Sequence, residues 1–335
     1  MTKIKVNTKQ SKESTALLDK LAQLGTLSES KAKDLSKSHK HFLKKSRKKA
    51  FSYGIARHLV GVQDSALHKA YVSTLYCNNI ILQDGPKAST KYCKQRWCPI
   101  CNGIRTADLI NGYYPTLKQL GNLYFVTLTK QSVKANDLKQ TFKVMRNGLR
   151  HIQHNTLRKK HGIKLIGIRK VESNYNANEE TFNPHMHLVL STDNIHDVYT
   201  LIYEWLNYFP DTTDRDGQHM RPIDLENEDD NSYLLELFKY ASKTVTKDGF
   251  SPEAQDVIYT ALKGSRAIQP MGIKKIPKEE RKHVDLPIDF QPMKTEIWEY
   301  NYTAKDWIAS DGKNFTGYKP DAKTKKLLKR IDNPI

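Results

Sequence analysis

The sequence predicts an α+β fold in which helices pack on one face of an antiparallel sheet, together with a small cysteine-rich knuckle and a basic, helical N-terminal arm. Three observations predict this class. A strand pattern and a helical pattern are followed by two strand patterns separated only by a polar loop, and then by further helical patterns. All four cysteines fall between residues 77 and 101. Residues 1–60 are rich in Lys and Ser.

The elements of the predicted sheet begin with Leu123–Thr129, which is β-branched and aromatic and therefore typical of a strand. The apolar residues that follow step by four and three, which predicts a helix capped by Asp137 with one stripe facing a core. Residues 165–172 and 185–190 form two further strand patterns. Because only a polar loop at 174–183 separates them, we expect an antiparallel hairpin. Helical patterns follow at residues 195–208 and 232–243.

The composition indicates a polyanionic partner. The 335 residues include 55 Lys and Arg against 36 Asp and Glu, a formal net charge of +19. No stretch approaches the roughly 20 apolar residues of a membrane span, and the first residues lack the apolar segment of a secretory signal. These features exclude collagen-like, membrane-spanning and disulfide-stapled secreted proteins, and predict a soluble, intracellular protein with no membrane partner.

The two ends of the chain form separate regions in this interpretation. Residues 1–75 are the basic region, with a Lys-rich run at residues 44–49 that is typical of a solvated helix face or basic arm, or alternatively of a DNA contact. Residues 251–335 form a C-terminal region that is either accessory or in contact with DNA. Its aromatic residues either close a small core, the interpretation we favour, or stack on unpaired bases. They are Trp298, Tyr300, Tyr302 and Trp307.

The cysteines are spaced like the ligands of one metal ion: Cys77, Cys93, Cys98 and Cys101. The two-residue gap between Cys98 and Cys101 lets both thiolates bind the same ion. Four thiolates suit tetrahedral Zn²⁺ in a closed, structural site, so residues 76–110 are predicted to be a zinc-binding segment. Two buried pairs or a redox-active Cys-x-x-Cys are the alternative. Arg96 and Arg105 flank the cluster and are candidate DNA contacts.

A second candidate metal site is centred on two histidines. His185 and His187 lie two apart in a strand pattern, so both imidazoles project from one face and can share a divalent cation. Glu172 closes the preceding predicted strand and is expected to face His185 across the hairpin. Together they suit Mg²⁺ or Mn²⁺. The alternative for Glu172 is an exposed carboxylate at a strand end.

A candidate nucleophile lies further along the chain. Glu236 and Tyr240 are four apart and share one face of a helix, with Lys239 and Lys243 nearby. A tyrosine hydroxyl can attack a phosphodiester when a divalent ion and nearby lysines stabilise the charge on the phosphate. A carboxylate beside it can activate water as a second nucleophile. Taken alone, the pattern is more typical of an interface tyrosine with a solvent-facing Glu.

Taken together, these segments resemble the rolling-circle plasmid replication initiators of the HUH endonuclease superfamily, of the single-tyrosine type found on Gram-positive plasmids. Any one motif is unspecific, but four in the family's order are specific. They are residues 91–102 with Cys77 upstream, residues 125–129, residues 184–190 and residues 236–243.

The resemblance implies an HUH-type nicking domain at residues 119–250 and roles for its residues. His185 and His187 would hold the divalent cation, with Glu172 as third ligand. Tyr240 would nick one strand at the double-strand origin and stay joined to the 5′ phosphate, and Glu236 would later activate water for termination. The implied location is the bacterial cytoplasm, and the implied partner is plasmid origin DNA, double-stranded and as the nicked single strand. Host helicase, polymerase and a second copy of the chain are further candidates.

Two other functions stay open at this point. A zinc-dependent DNA-binding regulator without catalysis would need neither the histidine pair nor Tyr240. An HUH relaxase or transposase would use the same chemistry at a transfer origin or an element end. Relaxases commonly carry three-histidine clusters, whereas two histidines are seen here, and transposases of this type usually lack the cysteine knuckle.

Overall fold

A computed structural model describes residues 37–84, 87–210, 213–227, 230–238, 249–277 and 296–335. The described residues divide into two compact units. The first comprises those within Met1–Arg105, Thr244–Asp256 and Lys282–Ile335, and the second those within Thr106–Lys243 and Val257–Arg281. The predicted α+β class is confirmed, because helices accompany two antiparallel sheets.

The helices of eight or more residues, in chain order, are α1 (Lys37–Val60), α2 (His68–Leu75), α3 (Pro99–Lys118), α4 (Ala135–His151), α5 (Ile195–Tyr208), α6 (Asn231–Phe238), α7 (Pro252–Leu262) and α8 (Ala322–Asp332). The strands are β1 (Ile80–Asp84), β2 (Lys87–Thr90), β3 (Leu123–Thr129), β4 (Ile166–Asn176), β5 (Thr181–Ser191), β6 (His219–Ile223), β7 (Ile268–Met271), β8 (Glu296–Asn301) and β9 (Asp306–Ala309). Among these helices, none combines the length and the apolar composition that crossing a bilayer requires.

The first unit contains a four-stranded antiparallel sheet in the order β2-β1-β8-β9. Its core is aromatic: Trp298, Tyr300 and Trp307 pack with Phe42 of α1 and with Phe315. Trp307 is fully buried and its indole Nε1 donates to a backbone carbonyl 2.9 Å away. The interpretation that the C-terminal aromatics close a core is therefore confirmed.

Helix α1 carries the Lys-rich run of residues 44–49, in which Lys44 and Lys48 are exposed but Lys49 departs from the expected solvated face. Lys49 is fully buried, and its Nζ donates to the carbonyl of Cys77 at 2.7 Å and lies 4.7 Å from the ring centre of Tyr300. Burial lowers the pKa of Lys49 to about 8. These partners come from distant parts of the chain, so the local charge pattern does not reveal them. Residues 1–36 of the predicted arm lie outside the described residues.

The second unit contains a five-stranded antiparallel sheet in the order β6-β3-β5-β4-β7. The predicted hairpin is confirmed as β4 paired with β5 along their whole length. Both strands are longer than predicted, because most of the polar stretch at 174–183 is paired rather than looped. The rings of Tyr175 and Phe182 pack 5.0 Å apart across it. As a result Glu172 lies inside β4 rather than at its end, directly opposite His185.

Helices cover both faces of this sheet, so the expectation of one covered face is wrong. On the face that carries His187, Tyr233 of α6 lies 4.9 Å from the ring of Phe125, which in turn stacks on His187 at 5.1 Å. The opposite face carries Met186, which is fully buried, and it is covered by α4, which contacts β5. Helix α4 begins after Lys134, so Asp137 lies in its first turn and is not its cap.

Candidate metal centres and catalytic site

The hairpin of β4 and β5 brings three predicted metal ligands together. Glu172 pairs with His185 across the strands, and the intervening alternation puts His187 on the same face. The Nε2 atoms of His185 and His187 each lie 3.0 Å from the same carboxylate oxygen, Oε1 of Glu172. Glu172 and His185 are buried and His187 is nearly so. These side chains form one converging donor set.

Second partners fix the two imidazoles. The Nδ1 of His185 lies 3.0 Å from the carbonyl of Asn183, which can only accept, so this nitrogen carries the proton. The Nδ1 of His187 lies 3.1 Å from the hydroxyl of Thr127. In neutral His185 the Nε2 lone pair therefore points at a carboxylate oxygen. Two acceptors face each other here, an arrangement that a cation or an added proton between them stabilises.

The charges around Glu172 favour its ionised form. Burial alone would raise the pKa of this carboxyl group, but its contacts with the imidazoles of His185 and His187 and the charge of Lys170 outweigh burial and hold the pKa well below its usual range. Burial lowers the pKa of His187, although Glu172 partly opposes that shift. An ionised carboxylate beside a neutral imidazole is the protonation state that metal ligation needs.

The spacing of these atoms suits a six-coordinate ion. Metal–oxygen distances of about 2.1 Å in an octahedron place neighbouring ligand atoms roughly 3.0 Å apart. That value matches the separation of Oε1 of Glu172 from both imidazole nitrogens, which is 3.0 Å. One carboxylate and two imidazoles leave further positions for water or substrate. The donor set therefore fits a divalent cation.

Lys170 is a residue of this site that the sequence patterns missed. It is 1% exposed, its Nζ forms an ion pair with Glu172, and it donates to the backbone carbonyl of Glu236 at 2.8 Å. Lys170 stands directly opposite His187 in the hairpin register. Alternation from Glu172 could have placed it on the metal face, but a lysine inside a strand more often faces solvent.

Helix α6 brings the first residues of the predicted tyrosine motif, residues 236–243, to the same face of the sheet. Glu236 is half-buried, and its backbone carbonyl accepts the bond from Lys170. The predicted nucleophile Tyr240 and the predicted phosphate-binding residues Lys239 and Lys243 lie outside the described residues.

The four cysteines gather at a second centre, in the first unit. Their sulfur atoms all lie within 4.8 Å of one another, and none is in a disulfide. Sγ of Cys101 is 3.6 Å from the sulfurs of both Cys77 and Cys93. Tetrahedral Zn²⁺ with bonds of about 2.3 Å places sulfurs roughly 3.8 Å apart. A backbone amide also points at a sulfur, from Cys93 to Cys77 at 3.4 Å. The donor set fits zinc.

Two lysines of α1, the buried Lys49 and the half-buried Lys45, lie beside the sulfurs. Burial lowers the pKa of both Lys45 and Lys49 to about 8, and the charge of the cysteine thiolates opposes that shift. A divalent ion with four thiolates carries a net charge of about −2, which two ammonium groups neutralise. The predicted DNA-contact residues Arg96 and Arg105 are half-buried, and Arg105 donates to the carbonyl of Lys94 at 3.3 Å.

Comparison with known proteins gives one family match. A family model described as "Replication protein" matches residues 86–318, which include Glu172, both histidines and three of the cysteines. No solved structure matches the chain.

Three curated relatives are each named "Protein rep". That of Staphylococcus aureus is 25% identical over 214 residues, 61% of this chain and 92% of that protein. That of Streptococcus pneumoniae serotype 2 is 26% identical over 211 residues, 58% of this chain and 64% of the relative. The protein of Lentilactobacillus hilgardii is 31% identical over 108 residues, 30% of this chain and 33% of the relative.

Proposed function

The chain belongs to the replication-protein family, the rolling-circle plasmid initiators that its motifs resemble, and from this premise we propose that it starts plasmid replication by nicking one strand of the origin DNA. One observation carries the mechanism. Glu172, His185 and His187 converge on the sheet face that α6 covers, and the chain after α6 leads to Tyr240.

The ligands of the catalytic ion would be Oε1 of Glu172 and Nε2 of both histidines, holding Mg²⁺ or Mn²⁺. When bound, such an ion stabilises the negative charge that develops on a reacting phosphate. Asn183 and Thr127 keep the imidazoles oriented, and Lys170 holds Glu172 in its ionised form.

Tyr240 acts as the nucleophile. Its phenolic oxygen attacks the scissile phosphorus and loses its proton, the bond from phosphorus to the 3′ oxygen breaks, and the leaving oxygen takes up a proton to become a 3′-OH. The new tyrosine–phosphate bond conserves the energy of the broken one, so strand transfer needs no ATP. Lys239 and Lys243 would neutralise the phosphate, and the free 3′-OH would prime synthesis.

Termination requires a second cleavage. Glu236 precedes Tyr240 by one helical turn, so on a continuous helix both side chains share a face. Its carboxylate would take a proton from water, and the water would make the terminating cut in place of a second tyrosine.

The cysteine centre would have a structural role, because four thiolates leave no open position on Zn²⁺. Arg96 and Arg105 beside it would contact the DNA backbone, which contributes affinity rather than sequence specificity. Host helicase, polymerase and self-association stay predictions.

The test is covalent capture. The protein is incubated with Mn²⁺ and supercoiled DNA carrying candidate origins, and the products are examined for nicked circles and for protein joined to a 5′ end. Tyr240→Phe is compared with Tyr203→Phe, which alters a tyrosine that is 62% exposed. We expect the adduct with wild type and Tyr203→Phe, and none with Tyr240→Phe.

The same assay separates the alternatives. A DNA-binding regulator would form no adduct, and Tyr240→Phe would bind DNA as well as wild type. An adduct at a transfer origin or an element end, in place of a replication origin, would indicate a relaxase or a transposase.

A further inference from the structure

A cationic cavity of about 320 Å³ lies in the second unit, between α4, the π-helical segment Ile152–Leu157 that follows it, β4 and β7. It opens on the sheet face opposite to the metal ligands, because Arg169 alternates with Lys170 along β4. None of the described residues that line it is acidic. Its basic residues are Arg146, Arg150, Arg158, Lys164 and Arg169, joined by His154.

The guanidinium groups at the base of this cavity have unused hydrogen-bonding capacity. Arg169 is only 6% exposed, and its Nη2 donates to the side-chain oxygen of Gln269 at 2.6 Å. Its Nη1 is buried with no hydrogen-bond partner among the described residues, and so is Nη1 of Arg146. A buried donor without a partner is costly, and a buried cation without a counter-charge is more so.

The charges also repel one another. Burial lowers the pKa of Arg169 to about 10, and the neighbouring charges of Arg146 and Arg150 add to the shift. Burial lowers the pKa of Arg146 in the same direction. An anion in the cavity would pair with these groups and remove both costs.

We propose that this cavity, the arginine pocket, binds a phosphate group. Guanidinium forks match the oxygens of phosphate in bidentate pairs, and several converging on one cavity are typical of phosphate recognition. The π-helical turn that supplies Gln153 and His154 is a rare element often found at functional sites. The site is separate from the nicking chemistry and lies on the other face of the sheet.

The phosphate could belong to a nucleic-acid strand or to a free nucleotide, and the surroundings favour a strand. An open groove adjoins the pocket and shares Arg150 and His154 with it. Asn147, His151 and Asn155 complete this groove. A chain of phosphates can continue from the pocket along such a surface, whereas a free nucleotide would leave the groove unused.

The test compares two double variants of α4 that each remove two positive charges. Arg146→Gln with Arg150→Gln alters the pocket, and Lys139→Gln with Lys143→Gln alters exposed lysines of the same helix outside it. Thermal unfolding is measured in chloride and in inorganic phosphate at equal ionic strength. Binding of a labelled single-stranded oligonucleotide of arbitrary sequence is measured without added divalent metal.

We expect phosphate to raise the Tm of wild type and of the lysine variant by about 4 °C more than that of the arginine variant. The difference between these Tm shifts is the informative quantity, because phosphate also stabilises any folded protein by being excluded from its surface. In chloride the arginine variant should melt no lower than wild type, because two repelling charges are gone. Its oligonucleotide affinity should fall at least tenfold below that of the lysine variant.

Equal phosphate shifts in all three proteins would overturn the proposal. An excess shift together with equal oligonucleotide affinities would assign the pocket to a free nucleotide or phosphate. No step of the test involves strand cleavage, so a failure of Tyr240 to form an adduct and a failure of the arginine pocket are distinguishable.

Discussion

The Nζ of Lys170 in β4 donates a hydrogen bond to the backbone carbonyl oxygen of Glu236 in α6, 2.8 Å away. The same ammonium group forms the ion pair with Glu172, so one buried lysine connects the proposed metal ligands to the helix that leads to Tyr240. The hydrogen bond to α6 is made to the backbone of Glu236 and not to its carboxylate. This contact with α6 therefore does not depend on the side chain of Glu236, whereas the charge of Lys170 favours the ionised form of Glu172.

Lys170→Met should destabilise the protein more without metal than with it. Removing one partner of a buried ion pair leaves Glu172 uncompensated, which costs about 3 kcal/mol or more. A bound divalent ion restores the missing positive charge, so added Mn²⁺ should recover part of the loss. Urea unfolding with and without Mn²⁺ measures the loss of stability and its recovery. Lys139→Met, which alters an exposed lysine, is the control. An equal loss in the two conditions would contradict the coupling between Lys170 and the ion.

Glu236→Ala should separate initiation from termination. The alanine keeps the backbone carbonyl that accepts from Lys170, so α6 should hold its place and nicking at the origin should continue. The variant lacks the carboxylate proposed to activate water, so unterminated products should accumulate. Nicked circles and released single-stranded circles are counted separately in a replication assay. Equal loss of both activities would show that Glu236 does not carry termination.

Local patterns were sufficient to predict that the three candidate metal ligands converge, but not which charges surround them. Alternation placed His185 and His187 on one face, and the hairpin placed Glu172 opposite His185. Lys170 lies on that face by the same rule. Its burial depends on a carbonyl of α6, a partner 66 positions away that no local pattern reveals.

The first unit was harder to predict because its contacts are non-local. Strand β1 pairs with β8, and their aromatic core takes Phe42 from α1. Lys49 is buried against Tyr300, yet in sequence it belongs to a run that is typical of a solvated face. Because this core joins segments that are far apart in the sequence, only its C-terminal part was indicated beforehand, by the aromatic residues there.

His185→Ala should weaken the binding of the divalent ion at least tenfold, because loss of even an outer partner of a metal ligand costs that much. Mn²⁺ binding is followed by calorimetry, and nicking is followed at limiting Mn²⁺. His196→Ala, which alters an exposed histidine of α5, is the control and should behave as wild type. If His185→Ala nicks origin DNA as well as wild type at limiting Mn²⁺, the histidine is not a ligand.

Removing the zinc proposed for the cysteine centre should unfold the first unit. The four sulfur atoms lie within 4.8 Å of one another only in the folded chain. The free energy of metal binding therefore adds directly to the free energy of unfolding. Cys98→Ser should lose the metal and about 4 kcal/mol or more of stability. Metal content by elemental analysis and thermal unfolding measure the two effects. A strong chelator should reproduce both in wild type.

The matched control for this centre is Ser52→Ala, since Oγ of Ser52 lies 3.3 Å from Sγ of Cys98 and is not a ligand in the proposed site. That variant should keep about one zinc ion per chain and lose only the roughly 1 kcal/mol of a single hydrogen bond. Cys98→Ser with full zinc content would mean that three sulfurs suffice. Wild type purified without metal, yet as stable as after zinc is added, would show that the cluster is a set of buried thiols whose packing alone supports the unit.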